Sequence, residues 1–462
     1  MARVRRAMFT YQKALDYIYS FVDQEKLAPD QYVPRRFDLE NMNTLLSMLG
    51  DPHRRLRAVH VAGTKGKGST CAMTASILQA AGYRVGLFTQ PHLHTFRERI
   101  RIDERLMSEE EMVAALERQK PFIEQLPDPS TFEIMTALAF QYFADQEVDM
   151  AVVETGLGGR LDTTNVLDPL VSVITSISYD HTYILGDTLE QIASEKAGII
   201  KNGKPVVCAP QRVAAEQVIV EVCREREAPL VLVGKDWVWD PGQASVEGQS
   251  FEVASQIPDA DGLLTARTTH EFWIPFLGRY QVVNATTSIA TIDQLVRLGT
   301  SVSPEQVTEG LRRAKWPGRL EILGHEPLLV MDGAHNVDSV QRLLRALREY
   351  LSFDRLILVV GFSLDKDIAG MMKELTSQAH AVIVTQAEHP RAAEPAAIAK
   401  QTPPPETPLS IVSDPASALW RALELAGKKD LVCVTGSLFV VAGARAAWLE
   451  AKGEEFERDP AL

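Results

Sequence analysis

The chain has 462 residues, 45% hydrophobic and 24% charged, with 48 Lys and Arg against 61 Asp and Glu and a formal net charge of −13. This balance provides core material for more than one domain and argues against a basic nucleic-acid-binding arm, a collagenous repeat or a disordered chain. Four scattered cysteines, Cys71, Cys208, Cys223 and Cys433, lack any CxxC or zinc-type spacing, and no run nears the roughly 20 apolar residues of a membrane span or forms a secretory signal, so a cytoplasmic protein with reduced thiols is expected.

In chain order, short β-branched runs alternate with helical patterns. Strands are predicted over 57–62, 84–89, 150–154, 171–177, 205–209 and 230–233, with helices over 69–81 and 189–199 between them. That alternation is the pattern of βαβ units and a mostly parallel sheet. The stretch 237–273, rich in Gly, Pro, Asp and Ser, breaks the rhythm and reads as a β-rich insert. A helix over 281–298 ends at Gly299 and another starts at Ser303, which places the domain boundary there: 1–299, then 300–462. Strands at 328–331, 356–360, 381–385 and 431–435 then alternate with helices at 337–351, 368–379, 416–426 and 439–449, predicting a smaller Rossmann-like α/β domain.

The sharpest chemical signal follows the first strand: Gly63-Thr64-Lys65-Gly66-Lys67-Gly68-Ser69-Thr70. Glycines let successive backbone N–H groups face one anion, the helix start adds positive potential, and Lys67 can reach terminal phosphates. Ser69 or Thr70 offers a hydroxyl to a divalent ion. Glu154 and the pair Asp180-His181 stand at or just beyond other strand ends, where parallel sheets bind ligands. Asp332-Gly333-Ala334-His335-Asn336 and Gly436-Ser437 occupy the same topological position in the second half, and Trp316-Pro317-Gly318-Arg319 presents a guanidinium suited to a phosphate or carboxylate. Lys196, late in a helix, reads by itself as a favourable charge near a helix C-terminus. Arg97, Arg99 and Arg101 alternate and would share one face of a strand.

Taken together, GTKGKGST, TQPHL, ETGLGGRLDTTN, SYDHTYILG, SEKAGII, GRYQVVNA, WPGRLE, DGAHN, GFSLDKD and GSL resemble, in order, the motifs of the folylpolyglutamate synthase and dihydrofolate synthase family of Mur-type ATP-dependent amide ligases. The resemblance implies a two-domain α/β enzyme that phosphorylates the carboxylate of a reduced folate or dihydropteroate and joins L-glutamate to it, releasing ADP and phosphate. It implies an ATP site of Gly63, Thr64, Lys65, Gly66, Lys67, Gly68, Ser69, Asn284, Arg319 and Asp332. Two Mg²⁺ would be held by Ser69, Glu154, His181 and a carbamylated Lys196, with Lys67, Lys196 and His181 serving catalysis. The folate or pteroate would meet Phe37, Asp38, Leu39, Thr131, Phe132, Glu133, Ile134, Leu161, Asp162 and Thr163, and the incoming glutamate His335 and Ser437. A monomer acting on small molecules, with no nucleic-acid or membrane partner, is implied.

Two positions depart from the family spelling. Lys65 stands where Asn is usual, which leads us to expect tighter, more salt-sensitive nucleotide binding. Gln90 replaces Ser in the Thr-Ser-Pro-His loop. A Mur-type ligase of peptidoglycan precursors would share the phosphate loop and metal positions, but the loop begins at Gly63, too early for a preceding UDP-binding domain. An inactive nucleotide-binding protein on this fold would not be expected to keep Lys67, Glu154, His181 and Lys196 together.

Overall fold

A computed structural model of the chain describes residues 10–21, 38–258, 262–264, 267–402 and 407–459. The first domain is built on an eight-stranded sheet of β1 (Ala58–Ala62), β2 (Val85–Phe88), β3 (Ile100–Ile102), β4 (Arg105–Leu106), β5 (Met150–Glu154), β6 (Val171–Ile174), β7 (Val206–Cys208) and β8 (Leu230–Leu232), in the order β4-β3-β2-β5-β1-β6-β7-β8. All pairings are parallel except those of β3 and β4 at one edge. Strands β1, β5 and β6 are buried at every residue, which is why they read as unbroken apolar runs and not as alternating ones. β1 lies between β5 and β6, so their carboxyl ends open side by side.

The 237–273 stretch is an antiparallel sheet of β9 (Trp237–Ser245), β10 (Gly248–Ser255) and β11 (His270–Ile274). Trp237, Phe251 and Phe272 seat it in the same core as helix Arg279–Arg297. The second domain carries β12 (Glu321–His325), β13 (Leu328–Met331), β14 (Leu356–Val360), β15 (Ala381–Val384), β16 (Leu409–Ile411) and β17 (Leu431–Thr435) in the order β12-β13-β17-β14-β15-β16, parallel apart from β12.

The cores separate later than the sequence suggests. Helix Pro304–Arg313 starts at Ser303 as expected, with a capping box to Gln306, yet Val307, Leu311 and Ala314 belong to the first core. Gly310 lies so close to helix Lys67–Ala80 that a Cβ there would stand 2.3 Å from the Ile77 Cα, and Ser76 Oγ donates to its carbonyl at 2.6 Å. Apart from Leu277, the residues of the second core begin at Leu320. The Gly-Thr-Ser break at 299–301 is a turn between two helices of one domain. All four cysteines are buried thiols, and among the described residues no helix is long and apolar enough to cross a membrane.

Candidate active site

The phosphate loop leaves β1 at Gly63 and enters helix Lys67–Ala80 through Gly66, whose φ of +89° lies in the left-handed region that glycine adopts at little cost. A side chain at Gly66 is also excluded by space: a Cβ would sit 2.4 Å from Asn284 Oδ1. The N–H groups of Thr64 and Lys65 both donate to the Ser176 carbonyl beyond β6, at 2.9 and 3.1 Å. They therefore brace the loop, and the N–H groups that begin the helix are the ones directed toward an anion. Asn284, expected at the ATP site, abuts Gly66 from helix Arg279–Arg297 and is held by Gln281 at 3.0 Å.

Lys67 Nζ and Lys196 Nζ converge on one acceptor, the Gly63 carbonyl, at 3.2 and 2.9 Å. Lys196 is buried in helix Leu189–Ala197. Desolvation, reinforced by the neighbouring Lys67 charge, brings its pKa down to about 7. Lys67 also lies 3.8 Å from Glu154 Oε1. Glu154, at the end of β5, is only 4% exposed; burial raises its pKa against the opposing pull of Lys67, the Gln90 N–H and Arg319. Ser69 is buried in the first turn of the loop's helix.

His181 caps the short helix Thr182–Leu185 with φ +48°. Its Nδ1 is buried without a hydrogen-bond partner, and its Nε2 lies 3.8 Å from Asp180 Oδ1. Desolvation outweighs Asp180 and lowers the imidazole to about 4. For Asp180 burial works upward, but His181, Lys366, His335 and Lys196 together bring it to about 2.

The carboxyl ends of β13, β17 and β14 face this cluster from the second domain. Lys366, beyond β14, stands 4.0 Å from Asp180. Lys65 reaches across the cleft to Asn336 Oδ1 at 3.1 Å and to Asp338. The Asp332 carboxylate accepts from Leu320 N and Ala334 N at 2.8 and 2.9 Å, so it shapes the turn beside Arg319. His335 Nδ1 is 2.8 Å from the Gly333 carbonyl, and burial lowers its pKa. Ser437 caps helix Leu438–Lys452 by accepting from Phe439 N at 3.2 Å.

The residues expected at the folate divide. Phe37 lies outside the described residues. Asp38 accepts from Glu40 N at 2.9 Å, beside the N-cap Leu39. Glu133 closes a capping box with Ser130, and Ile134 is fully buried in core, so these two carry structural roles. Thr131 Oγ1 donates to the Ile18 carbonyl at 3.0 Å. Phe132 packs under Gly156, where a Cβ would lie 2.5 Å from its ring. Asp162 ties the same loop through Leu157 N at 2.8 Å and Thr164 N at 3.1 Å, Thr163 bonds Thr136 at 2.7 Å, and Leu161 is half-buried beside them.

The three arginines do not share a strand. Arg97 and Arg99 lie in a 3₁₀ turn, Phe96–Arg99, and only Arg101 is in β3. Arg97 pairs with Glu457, Arg99 donates to His92 Nδ1 at 2.8 Å, and Arg101 lies 5.2 Å from the Trp316 ring. Sequence reasoning singled out neither Trp316, whose indole sits over Gly68 (a Cβ there would be 2.5 Å from its ring), nor Lys366 and Asp338. Trp316 and Lys366 lie inside the WPGRLE and GFSLDKD motifs; Asp338 has no local signal.

A phosphate loop facing a second α/β domain across one cleft is the architecture of a nucleotide-dependent ligase. Residues 61–292 match the Mur ligase middle domain and residues 318–438 the Mur ligase, glutamate ligase domain. The chain is 38% identical to the dihydrofolate synthase/folylpolyglutamate synthase of Bacillus subtilis, over 88% of this chain and 94% of that protein. It is 32% identical to the folylpolyglutamate synthase of Lacticaseibacillus casei, over 96% and 99%. Among solved structures, Thermotoga maritima folylpolyglutamate synthase superimposes with a TM-score of 0.81 at 33% identity, covering 98% of both chains. Escherichia coli FolC in complex with DHPP and ADP gives 0.84 at 28% identity, covering 98% of this chain and 100% of that one. The chain belongs to the folylpolyglutamate synthase/dihydrofolate synthase family of Mur ligases.

Proposed function

We propose that the chain is an ATP-dependent ligase that joins L-glutamate to a reduced folate, and also to dihydropteroate. The carrying observation is the convergence of Lys67, Lys196 and Glu154 at the phosphate loop, with Asn336, Asp338 and Lys366 of the facing domain reaching Lys65 and Asp180 beside it. A carboxylate is a poor acyl donor, because its oxygen leaves badly. Transfer of the ATP γ-phosphoryl onto it gives an acyl phosphate; the glutamate amine then attacks the carbonyl carbon, phosphate leaves, and an amide forms. Lys67 and the helix-start N–H groups stabilise the charge on the transferring group, Trp316 covers the loop, and Arg319 faces the same charge from the second domain. His335 and Ser437, at the strand ends of that domain, would receive the amino acid.

The donor set fits Mg²⁺. Ser69, Glu154, His181 and a carboxylate made on Lys196 would hold the ions; among the described residues no group of three His, Cys, Asp or Glu side chains by itself forms a metal site. The partnerless Nδ1 of His181 and the depressed pKa of Lys196 suit that set. A neutral lysine amine adds to CO₂ and loses one proton to give the carbamate. Bound there, Mg²⁺ would supply positive charge to the phosphates.

The test is ADP release with ATP and L-glutamate, comparing dihydropteroate with tetrahydrofolate as acceptor. Glutamate-dependent ADP formation with either supports the reading; none with both overturns it.

A further inference from the structure

Beyond helix Leu438–Lys452 the chain turns at Gly453, φ +68°, and runs back onto the first domain. Asp459, 3% exposed, is anchored there at four points. Its carboxylate accepts from Tyr11 Oη and Thr95 Oγ1, both at 2.6 Å, and from Phe96 N at 2.7 Å. Its own N–H donates to the His94 carbonyl at 3.0 Å. Glu457 pairs with Arg97, and the Phe456 ring lies 4.9 Å from that of His94. Arg445, on the preceding helix, meets His94 Nε2 at 3.0 Å while gripping Glu321.

The contacts to His94, Thr95 and Phe96 fall on one end of a loop whose other end is at the proposed catalytic centre. Gln90 N donates to Glu154 Oε2 at 3.1 Å. Between the two ends, Leu93, His94 and Thr95 donate their N–H groups to Glu98, at 2.8, 2.7 and 3.1 Å, so the loop is internally stiff. A stiff loop pinned at Glu154 on one side and at Asp459 on the other transmits a displacement at either end. The loop and the returning segment also share one interdomain pocket, lined by Leu93, His94, Trp316, Arg319, Leu438 and Phe456.

We propose that residues 454–459 form a strap through which the second domain positions the 90–96 loop, with Asp459 as its positioning residue. The strap makes the seating of the loop beside Glu154, and one wall of the pocket, depend on how the two domains sit. Its kinetic consequence rests on the ligase reading above; its structural consequence does not.

The test uses full-length Asp459→Ala, Asp459→Asn, Asp459→Glu and Phe456→Ala. Losing charge-assisted bonds at the loop's far end is expected to raise the acceptor KM about five- to tenfold, because Arg99 ties Gln90 to Met135 on the helix that carries Thr131 and Phe132, while the ATP KM stays within about twofold because Lys67 keeps its own contacts with Gly63 and Glu154. Asp459→Glu, which keeps the charge, is expected to recover part of the loss. Amide hydrogen exchange by mass spectrometry or NMR is read alongside, with faster exchange expected at both Phe96 and Gln90 in Asp459→Ala. An unchanged acceptor KM, or equal rises in the acceptor and ATP KM, overturns the positioning role, as does faster exchange confined to Phe96. If Asp459→Ala does not fold, Asp459→Asn and Phe456→Ala carry the same comparison. If the wild type shows no turnover, the ligase reading falls, and the exchange at Gln90 still decides the strap.

Discussion

Lys65 tests how charge is shared across the domain cleft. Its ammonium is engaged by Asp338 and Asn336 of the second domain, with side-chain exposures of 18% for Lys65 and 44% for Asp338. Asp338 is also 3.2 Å from Arg342. A charge-assisted pair with one partner half in solvent is expected to couple by about 1 kcal/mol, between the few tenths of an exposed pair and the 2–3 of a buried one, which is roughly fivefold in an equilibrium constant. Lys65→Asn should therefore change the Kd of a non-hydrolysable ATP analogue by less than about fivefold, because the charge it removes is already partnered. Asp338→Asn frees that charge for the phosphates, and should tighten nucleotide binding by about fivefold with a steeper salt dependence. Adding Lys65→Asn to Asp338→Asn should reverse the gain. Calorimetric titration of the four proteins closes the cycle. If Lys65→Asn alone weakens binding tenfold or more while Asp338→Asn changes nothing, Lys65 acts on the nucleotide directly and the cross-cleft pair is incidental.

Three further outcomes are expected. With the Lys196 pKa at about 7, about half of the amine is neutral at pH 7, against roughly one part in three thousand at the ordinary value of 10.5. The folded state resists protonation there and the unfolded state does not, so this group's destabilisation is complete below about pH 7 and fades as pH rises toward 10.5; Lys196→Met, in bicarbonate-free buffer, should raise Tm most at the acid end of that window, and an equal shift at pH 6 and pH 10 would contradict the assignment. Glu154→Gln removes the carboxylate facing Lys67 and should cut turnover by at least about a hundredfold in steady-state assays while leaving the fold intact, since an amide keeps the Gln90 contact; retention of a tenth of the activity would refute its role. Gly66→Ala imposes a strained backbone and a clash with Asn284, and should cost about 1–3 kcal/mol of stability and most nucleotide affinity; unaltered ADP binding by fluorescence titration would sink that account.

Local chemistry determined much of this protein. The apolar runs that became β1, β5, β6, β13, β14 and β17, the glycine-rich turn after β1 and the helix start at Ser303 are legible because each is written in consecutive residues whose propensities agree. Glu154 and Lys67 were legible for the same reason: a carboxylate ending a buried strand and a lysine in a glycine loop carry their position with them. Other features depend on residues far apart in sequence. Nothing in the 299–304 segment says that the following helix will bury Val307 and Leu311 against the phosphate-loop helix. Nothing in 97–101 says that a 3₁₀ turn will interrupt the alternation. Lys196 looks locally like a lysine at a helix end, and only burial beside Lys67 depresses its pKa. The pairs Lys65–Asp338, Lys366–Asp180 and Asp459–Tyr11 join residues far apart in the chain, and the polar or charged group of each member is chemically sensible wherever it lies. Sequence thus determined the elements and the class of chemistry, because propensity and strand-end position act over a few residues. Only the tertiary structure decided which charges are buried, which face one another and how the two domains are tied, because desolvation and Coulomb energy depend on distances that the folded chain alone sets.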